Sequence, residues 1–525
     1  RYFEDRTLFY LLKKIHLALP AYAQNALARI QADRPELRLD KWHKEEFSGW
    51  VTGTGHADFE ESKQHIIVPS SLSDLVKWLK EDIDNKWNDD HFYTVHWSER
   101  CKENPDVVSE ALDVNATEGP WNAERWGDVL WAWRQGDDAR RMAELMKKHF
   151  DRMDETTFGK LKRAMASWAE AYGKAKDCDK NLVVKIAAKV LAHELSEPAN
   201  PLCEDLKRDI TMAAINHPAG YAIGTLLTAY FNTKRERGEK LKEPLLSVLN
   251  RCCKGTSEAA LYARHIIFSW SNPIYYVDRA WYLANLRPYL TWAHDTIDSI
   301  AAWKGFLWSN NPTSSLVEDI KLPILSTTAH YSKLESSGPQ FCALALRAKF
   351  FSMAKLPSSA WHKFFNSFPQ KGYEDLAHVL QRAQRQMMNP SDDEKGDPTF
   401  WRKRIKPFII HYWPKKPKIL TKKIRHEFVE LILESNKDFP DAFKTLKNYL
   451  APLEHAGVFI YQLKDSALCS RFPREACTFA DMLIKNISYC GGALKECLDQ
   501  MKNADPTITK TPAYKRLYGL YRATS

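Results

Sequence analysis

Apolar side chains recur along this chain at the spacing of an α-helix, and clusters of turn-forming residues cut the recurrence into short lengths. Leu182, Val183, Ile186, Ala187, Val190 and Leu191 fall on one face of residues 181–195, the mark of a helix that buries a single stripe. The same spacing runs through residues 139–150, 425–433, 443–453 and 479–487. Strand-like alternation is scarce. His65-Ile-Ile-Val-Pro69 and Val458-Phe-Ile-Tyr461 are short β-branched or aromatic runs, each too isolated to build a sheet. Turn signals at Ser196–Pro201, His217–Gly220, Ser271–Pro273, Ser309–Pro312 and Ser336–Pro339 separate the helical lengths. Their uneven spacing fits no regular tetratricopeptide or ankyrin period. The expected fold is all-α, an irregular α-solenoid or helical-repeat-like array with few or no strands.

The polar, Pro-bounded stretch Asn389–Pro398 reads as a linker, and Asn115–Pro120 as a weaker boundary. They divide the chain into a helical or irregular region at 1–115, a helical array at 116–390 and a C-terminal helical subdomain at 391–525. With 20 Gly in 525 residues, an all-β chain rich in tight turns is disfavoured. The 18 Trp, 21 Tyr and 24 Phe call for a large core or an interface. None of the ten Cys forms a C-x-x-C pair. They read as reduced, mostly buried thiols, which points to the cytoplasm. No stretch reaches the length of a membrane-spanning helix. The opening Arg1-Tyr2-Phe3 has neither an initiator Met nor a signal peptide's apolar core, and reads as a start inside a longer polypeptide.

Charge is concentrated in one place. Arg402, Lys403, Arg404, Lys406, Lys415, Lys416, Lys418, Lys422, Lys423 and Arg425 lie between Trp401 and His426, with no Asp or Glu among them. This segment accounts for the formal charge of +10, so the rest of the chain balances to zero. Trp401, Phe408, Tyr412 and Trp413 interrupt the cations, more apolar area than a solvated tail carries. Three readings follow: a nucleic-acid surface, a surface for an acidic protein, or a stretch of core whose Lys and Arg stems reach out to water. The structural reading comes first. Pro407, Pro414 and Pro417 forbid one continuous basic helix.

Signals for catalysis are weak. His193-Glu194 lacks the second His of a zincin helix. His91, His96 and Cys101 lack metal-ligand spacing. Gly53-Thr-Gly55 is half of a dinucleotide fingerprint and reads as a loop. Asp278, Asp295 and Asp298 sit among basic residues at helical spacing and read as solvated helix faces. Trp121, Trp126, Trp131 and Trp133 read as helix packing ahead of a base-stacking platform. No catalytic residue, metal or cofactor is assigned to this chain, which is read as not an enzyme.

Several patterns, in order, resemble the C-terminal helical region of bacterial SIR2-like anti-phage defence proteins, a domain of unknown function. They are Trp121–Trp133, His217–Leu227, Asp278–Trp292, Ala302–Trp308, Phe400–Phe408 with Trp413–Lys415, Phe439–Phe443 and Phe472–Ala476. The resemblance covers residues 121–525 and includes Trp292, Trp303 and Trp308 as further packing or interface aromatics. It implies a bacterial, cytoplasmic sensor region that recognises a phage protein, or contacts its own upstream effector domain, and controls NAD⁺ consumption by that domain. This chain carries no SIR2 nucleotide-binding motif, so no effector residue is transferred. Nucleic-acid binding by residues 402–425 is the alternative, a homo-oligomer is compatible with either, and no membrane partner is expected. Gly220 and Gly305 are expected at helix ends or close approaches.

Overall fold

The computed structural model describes residues 21–33, 64–66, 68–80, 93–95, 97–118, 122–134, 139–175, 178–196, 209–293, 296–308, 311–388, 396–416, 419–485 and 491–524. These residues are overwhelmingly helical, so the all-α expectation holds. Two three-residue strands, Gln64–Ile66 and Tyr93–Val95, pair in parallel with His65 opposite Thr94. The run at His65 thus finds a partner, whereas the run at Val458 is no strand. It lies in the helix Gly457–Asp465, where Phe459, Ile460 and Leu463 are buried. Two adjacent buried residues suit a helix face and not a half-buried strand, whose neighbours alternate sides.

The chain forms two compact units, residues 1–157 and 158–525. Neither expected boundary divides them. Asn115 lies inside the helix Pro105–Glu118. Residues 389–395 of the expected linker lie outside the described residues. In the first unit, helix Leu72–Lys80 packs on Pro105–Glu118, and Trp97–Glu103 packs on Ala123–Arg134. Leu75, Val108, Trp126, Leu130 and Met146 are fully buried there.

In the second unit the expected stripe of the helix Lys180–Ser196 is the buried one, with Leu182, Val183, Ile186, Ala187, Val190 and Leu191 all inside. Other helices start or stop away from the expected limits. The helix read at 479–487 spans Pro473–Leu483, and the one at 443–453 spans Phe439–Leu446 and continues as a short 3₁₀ turn. Ser271–Pro273, read as a turn, opens the helix Ser271–Val277. Proline is tolerated there because first-turn N–H groups have no partner inside the helix.

Side-chain hydrogen bonds between helices of this unit reach over about one helical pair. Trp281 to Asn250 spans 31 residues, Tyr331 to Asp375 spans 44, and His378 to Glu427 spans 49. Lys349 to Tyr412 reaches 63. The helices Pro218–Phe231, Glu258–Ser269 and Thr296–Trp308 pack in succession, as do Gly338–Phe350, Gln370–Met388 and Lys422–Leu433. Each length of chain therefore rests on lengths close to it in sequence, the contact pattern of repeat architectures. Gly305 marks one close approach: a Cβ there would lie 2.2 Å from the His265 carbonyl oxygen. Gly220 is as tight, with a Cβ falling 1.8 Å from the Ala214 oxygen.

Candidate recognition surface

The basic segment is built into the second unit through its rings. Trp401, Phe408 and Trp413 are at most 2% exposed. Phe408 packs edge-on against Phe365 at 4.8 Å, and Trp413 against Phe428 at 4.9 Å. The indole N–H of Trp401 donates to Asp441 Oδ2 at 2.8 Å. Residues Trp401–Ile405 form a π-helical turn that leads into the helix Lys406–His411. Pro407 has no N–H to donate back into the preceding turn, and the Lys406 N–H reaches the Trp401 carbonyl instead. Pro407 thus widens the helix without ending it.

The cations divide into two sets. Arg402 Nε donates to Asp438 Oδ1 at 2.6 Å, and Lys406 Nζ lies 2.7 Å from Asp441 Oδ1. Arg404 donates to the Phe350 carbonyl, Lys422 pairs with Glu454 at 2.7 Å, and Lys423 lies 3.9 Å from Asp375. These side chains tie the segment to helices before and after it. Arg425 is half-buried. Lys403, Lys415 and Lys416 are exposed. Lys418 and Trp121 lie outside the described residues. Burial opposes ionisation of Asp441, but the Lys406 ammonium and the Trp401 N–H outweigh it and hold the carboxyl below its ordinary range. Tyr412 is likewise half-buried, and the Lys349 ammonium and the Ser358 hydroxyl bring its phenol below the usual value in spite of burial.

Arg402, Lys406, Pro407, Ile410, His411 and Asp441 line an open hollow of about 540 Å³. Pro407 and Ile410 are its apolar lining residues, and Ile410 is 42% exposed.

The other aromatic candidates separate cleanly. Trp126, Trp133 and Trp303 are core. Trp292 stacks on His330 at 4.3 Å and donates to Thr327 at 2.9 Å. Trp131 and Trp308 are about half exposed, and Trp131 lies beneath the Arg134 guanidinium. Asp278 and Asp298 have structural partners. Asp278 caps the helix Arg279–Asn285 by accepting from Trp281 N at 3.1 Å, and Asp298 pairs with buried Arg264. Asp295, His91, His96 and residues 53–55 lie outside the described residues. Glu194, buried, is held by Lys162 at 2.9 Å with His217 Nε2 at 3.6 Å.

One constellation was invisible in the sequence. In the first unit, Ser109 Oγ lies 2.6 Å from His149 Nε2, and His149 Nδ1 lies 3.0 Å from Asp113 Oδ1. This is the order of contacts in a Ser-His-Asp triad. The environment is wrong for hydrolysis: Ser109 is 1% exposed and His149 is 0% exposed. Lys148 and Arg152 also bind Asp113, at 2.7 and 2.9 Å. Burial lowers the His149 pKa to about 4, with the Asp113 carboxylate acting in the opposite sense. A nucleophile closed off from solvent cannot meet an ester, so the three residues clamp helix Pro105–Glu118 to helix Ala139–Phe150. Ser and Asp four apart on a helix, with a His 40 residues away, give no local signal.

Among the described residues, no group of three or more His, Cys, Asp or Glu is placed to hold a metal. Eight described cysteines are free thiols, seven of them buried. Among the described residues, no helix is long and apolar enough to cross a membrane. Compared with known protein families, curated proteins and solved structures, the chain matches none.

Proposed function

We propose that residues 158–525 form an irregular α-solenoid that works as a non-catalytic recognition scaffold. The observation that carries this reading is the reach of the inter-helix bonds, which tie each helical pair to its neighbours in sequence. An array held together by neighbours alone builds long continuous surfaces from many repeats, which suit a large partner. The family resemblance gives the scaffold a biological setting. It is the sensing region of a bacterial, cytoplasmic anti-phage protein, which binds a phage protein and regulates an upstream NAD⁺-consuming domain.

Nucleic-acid binding through residues 402–425 has less support. Base stacking on Trp401, Phe408 or Trp413 is blocked by their burial. Five of the ten cations are engaged with neighbouring parts of the fold. Pull-down of purified phage structural proteins tests the proposal. Retention of a defined phage protein, lost when exposed residues of the second unit are altered, supports it. A chain that retains none and is dispensable for protection contradicts it.

A further inference from the structure

We propose that Tyr412 is a nucleophilic phenol, activated by Lys349, that accepts an acyl group from an activated donor at the surface of the second unit. The inference goes beyond the scaffold reading and does not rest on it, because a single transfer to the chain's own side chain is not turnover. Lys349, on the helix Gly338–Phe350, donates to Tyr412 Oη at 2.8 Å. Its ammonium also lies 4.2 Å from the centre of the Tyr412 ring and 5.7 Å from that of Trp361. Among the described residues no carboxylate pairs with Lys349 or with the phenol, so the cation is committed to Tyr412. Ser358 Oγ, at the start of the helix Ser358–Phe365, lies 3.5 Å from the same phenol oxygen. The ring of His362, on that helix, is 5.0 Å from the Tyr412 ring, and that of His411 is 6.4 Å away. Lys349, His362 and His411 are thus the titratable groups that face Tyr412 from the three helices around it.

A phenol that receives a hydrogen bond from an ammonium and meets no acid is stabilised as the phenolate. Burial opposes this, but the hydrogen bonds with Lys349 and Ser358 outweigh it, and the phenol ionises below its ordinary range. Phe365 and Phe408 pack against the ring at 6.2 and 6.1 Å and hold it in place. The oxygen borders exposed Ser358, so an electrophile reaches it in the folded chain. In the proposed step the phenolate oxygen attacks the donor's carbonyl carbon. A carbon–oxygen bond forms and the bond to the leaving group breaks. The leaving group departs with that electron pair and takes up the proton given off by the phenol. Lys349 stays protonated, and the product is a tyrosine ester.

N-Acetylimidazole tests this on the full chain, with imidazole as the leaving group. Acetylation of each tyrosine is followed over time by peptide mass spectrometry, and release by hydroxylamine separates tyrosine esters from lysine amides. Tyr276 and Tyr518, 48% and 45% exposed, are internal references with no ammonium on the hydroxyl among the described residues. Tyr412 is less exposed than either, so access alone predicts slower reaction there. The proposal predicts that Tyr412 reacts about tenfold faster than both at neutral pH, an excess that shrinks as pH rises and the references ionise. Lys349→Met should bring Tyr412 down to the reference rate, whereas Lys349→Arg, which keeps a charged donor, should retain most of the excess. Circular dichroism checks the fold, and Lys349→Gln replaces Lys349→Met if that variant unfolds. Acetylation of Tyr412 no faster than that of Tyr276 and Tyr518, or an excess that survives loss of the cation, overturns the proposal. Either result leaves the scaffold reading intact, whereas that reading fails on enzymatic turnover whatever Tyr412 does.

Discussion

Arg402 holds Asp438 from the solvent side: the guanidinium is 62% exposed, while the carboxylate it pairs with has no exposure at all. The basic residue caps a buried acid 36 positions further along the chain, in the next helical length. One of the cations that mark this segment in sequence is therefore part of the seam between helices.

Removing that cap leaves a buried acceptor without its charged partner. Arg402→Ala should destabilise the chain by about 1–3 kcal/mol. Lys415→Glu and Lys416→Glu, in exposed positions, should change stability by no more than about 0.5 kcal/mol. Urea unfolding of the three variants checks this. Equal effects at all three positions would show that Arg402 is not structural.

Gly305 allows the helix Thr296–Trp308 to lie against the backbone of Glu258–Ser269. Gly305→Ala places a methyl group against the His265 carbonyl and should cost about 1–3 kcal/mol, although alanine has the better helix propensity. A lower midpoint in thermal or urea unfolding is the expected result. A raised midpoint would mean that the two helices are not in close contact.

Acid should weaken both units. Burial, the largest cause in each, lowers His149 and His265 from 6.5 to about 4. Between those values the unfolded chain binds protons that the folded chain does not. Stability is thus fully present above about pH 6.5 and falls as pH drops towards 4, by up to roughly 3 kcal/mol for each histidine. The depressed carboxyl of Asp441 adds its own loss below its unfolded value, at more acidic pH. Urea midpoints between pH 7 and pH 4.5 should fall steadily. His265→Gln should flatten part of that slope, and an unchanged slope would rule out His265 as a source.

A fluorophosphonate probe tests the closed triad. Ser109 should remain unlabelled in the folded chain, as in Ser109→Ala. Labelling of Ser109 under native conditions would show that the site opens and would make hydrolysis a live reading.

Much of the helical framework was legible from residue order. The stripe from Leu182 to Leu191 is buried as its 3.6-residue period requires. Gly220 and Gly305 stand at close approaches. Aromatics among the cations at 401–413 marked a stretch that is part core. Pairings were not legible, because Arg402 with Asp438 and Ser109 with His149 depend on how distant helices stack, and no local spacing encodes that register. Val458–Tyr461 misled for a related reason. A four-residue apolar run does not distinguish period 2 from period 3.6, and its neighbours Leu463 and Ala456, both buried, decide for the helix.

The central claim is that this chain binds and does not transform. Incubation of the purified chain with NAD⁺, nucleotides and DNA, with products quantified over time beside a heat-denatured control, tests it most directly. The account predicts no turnover above the control. Sustained turnover that co-purifies with the chain and disappears on a single substitution within it would contradict the account.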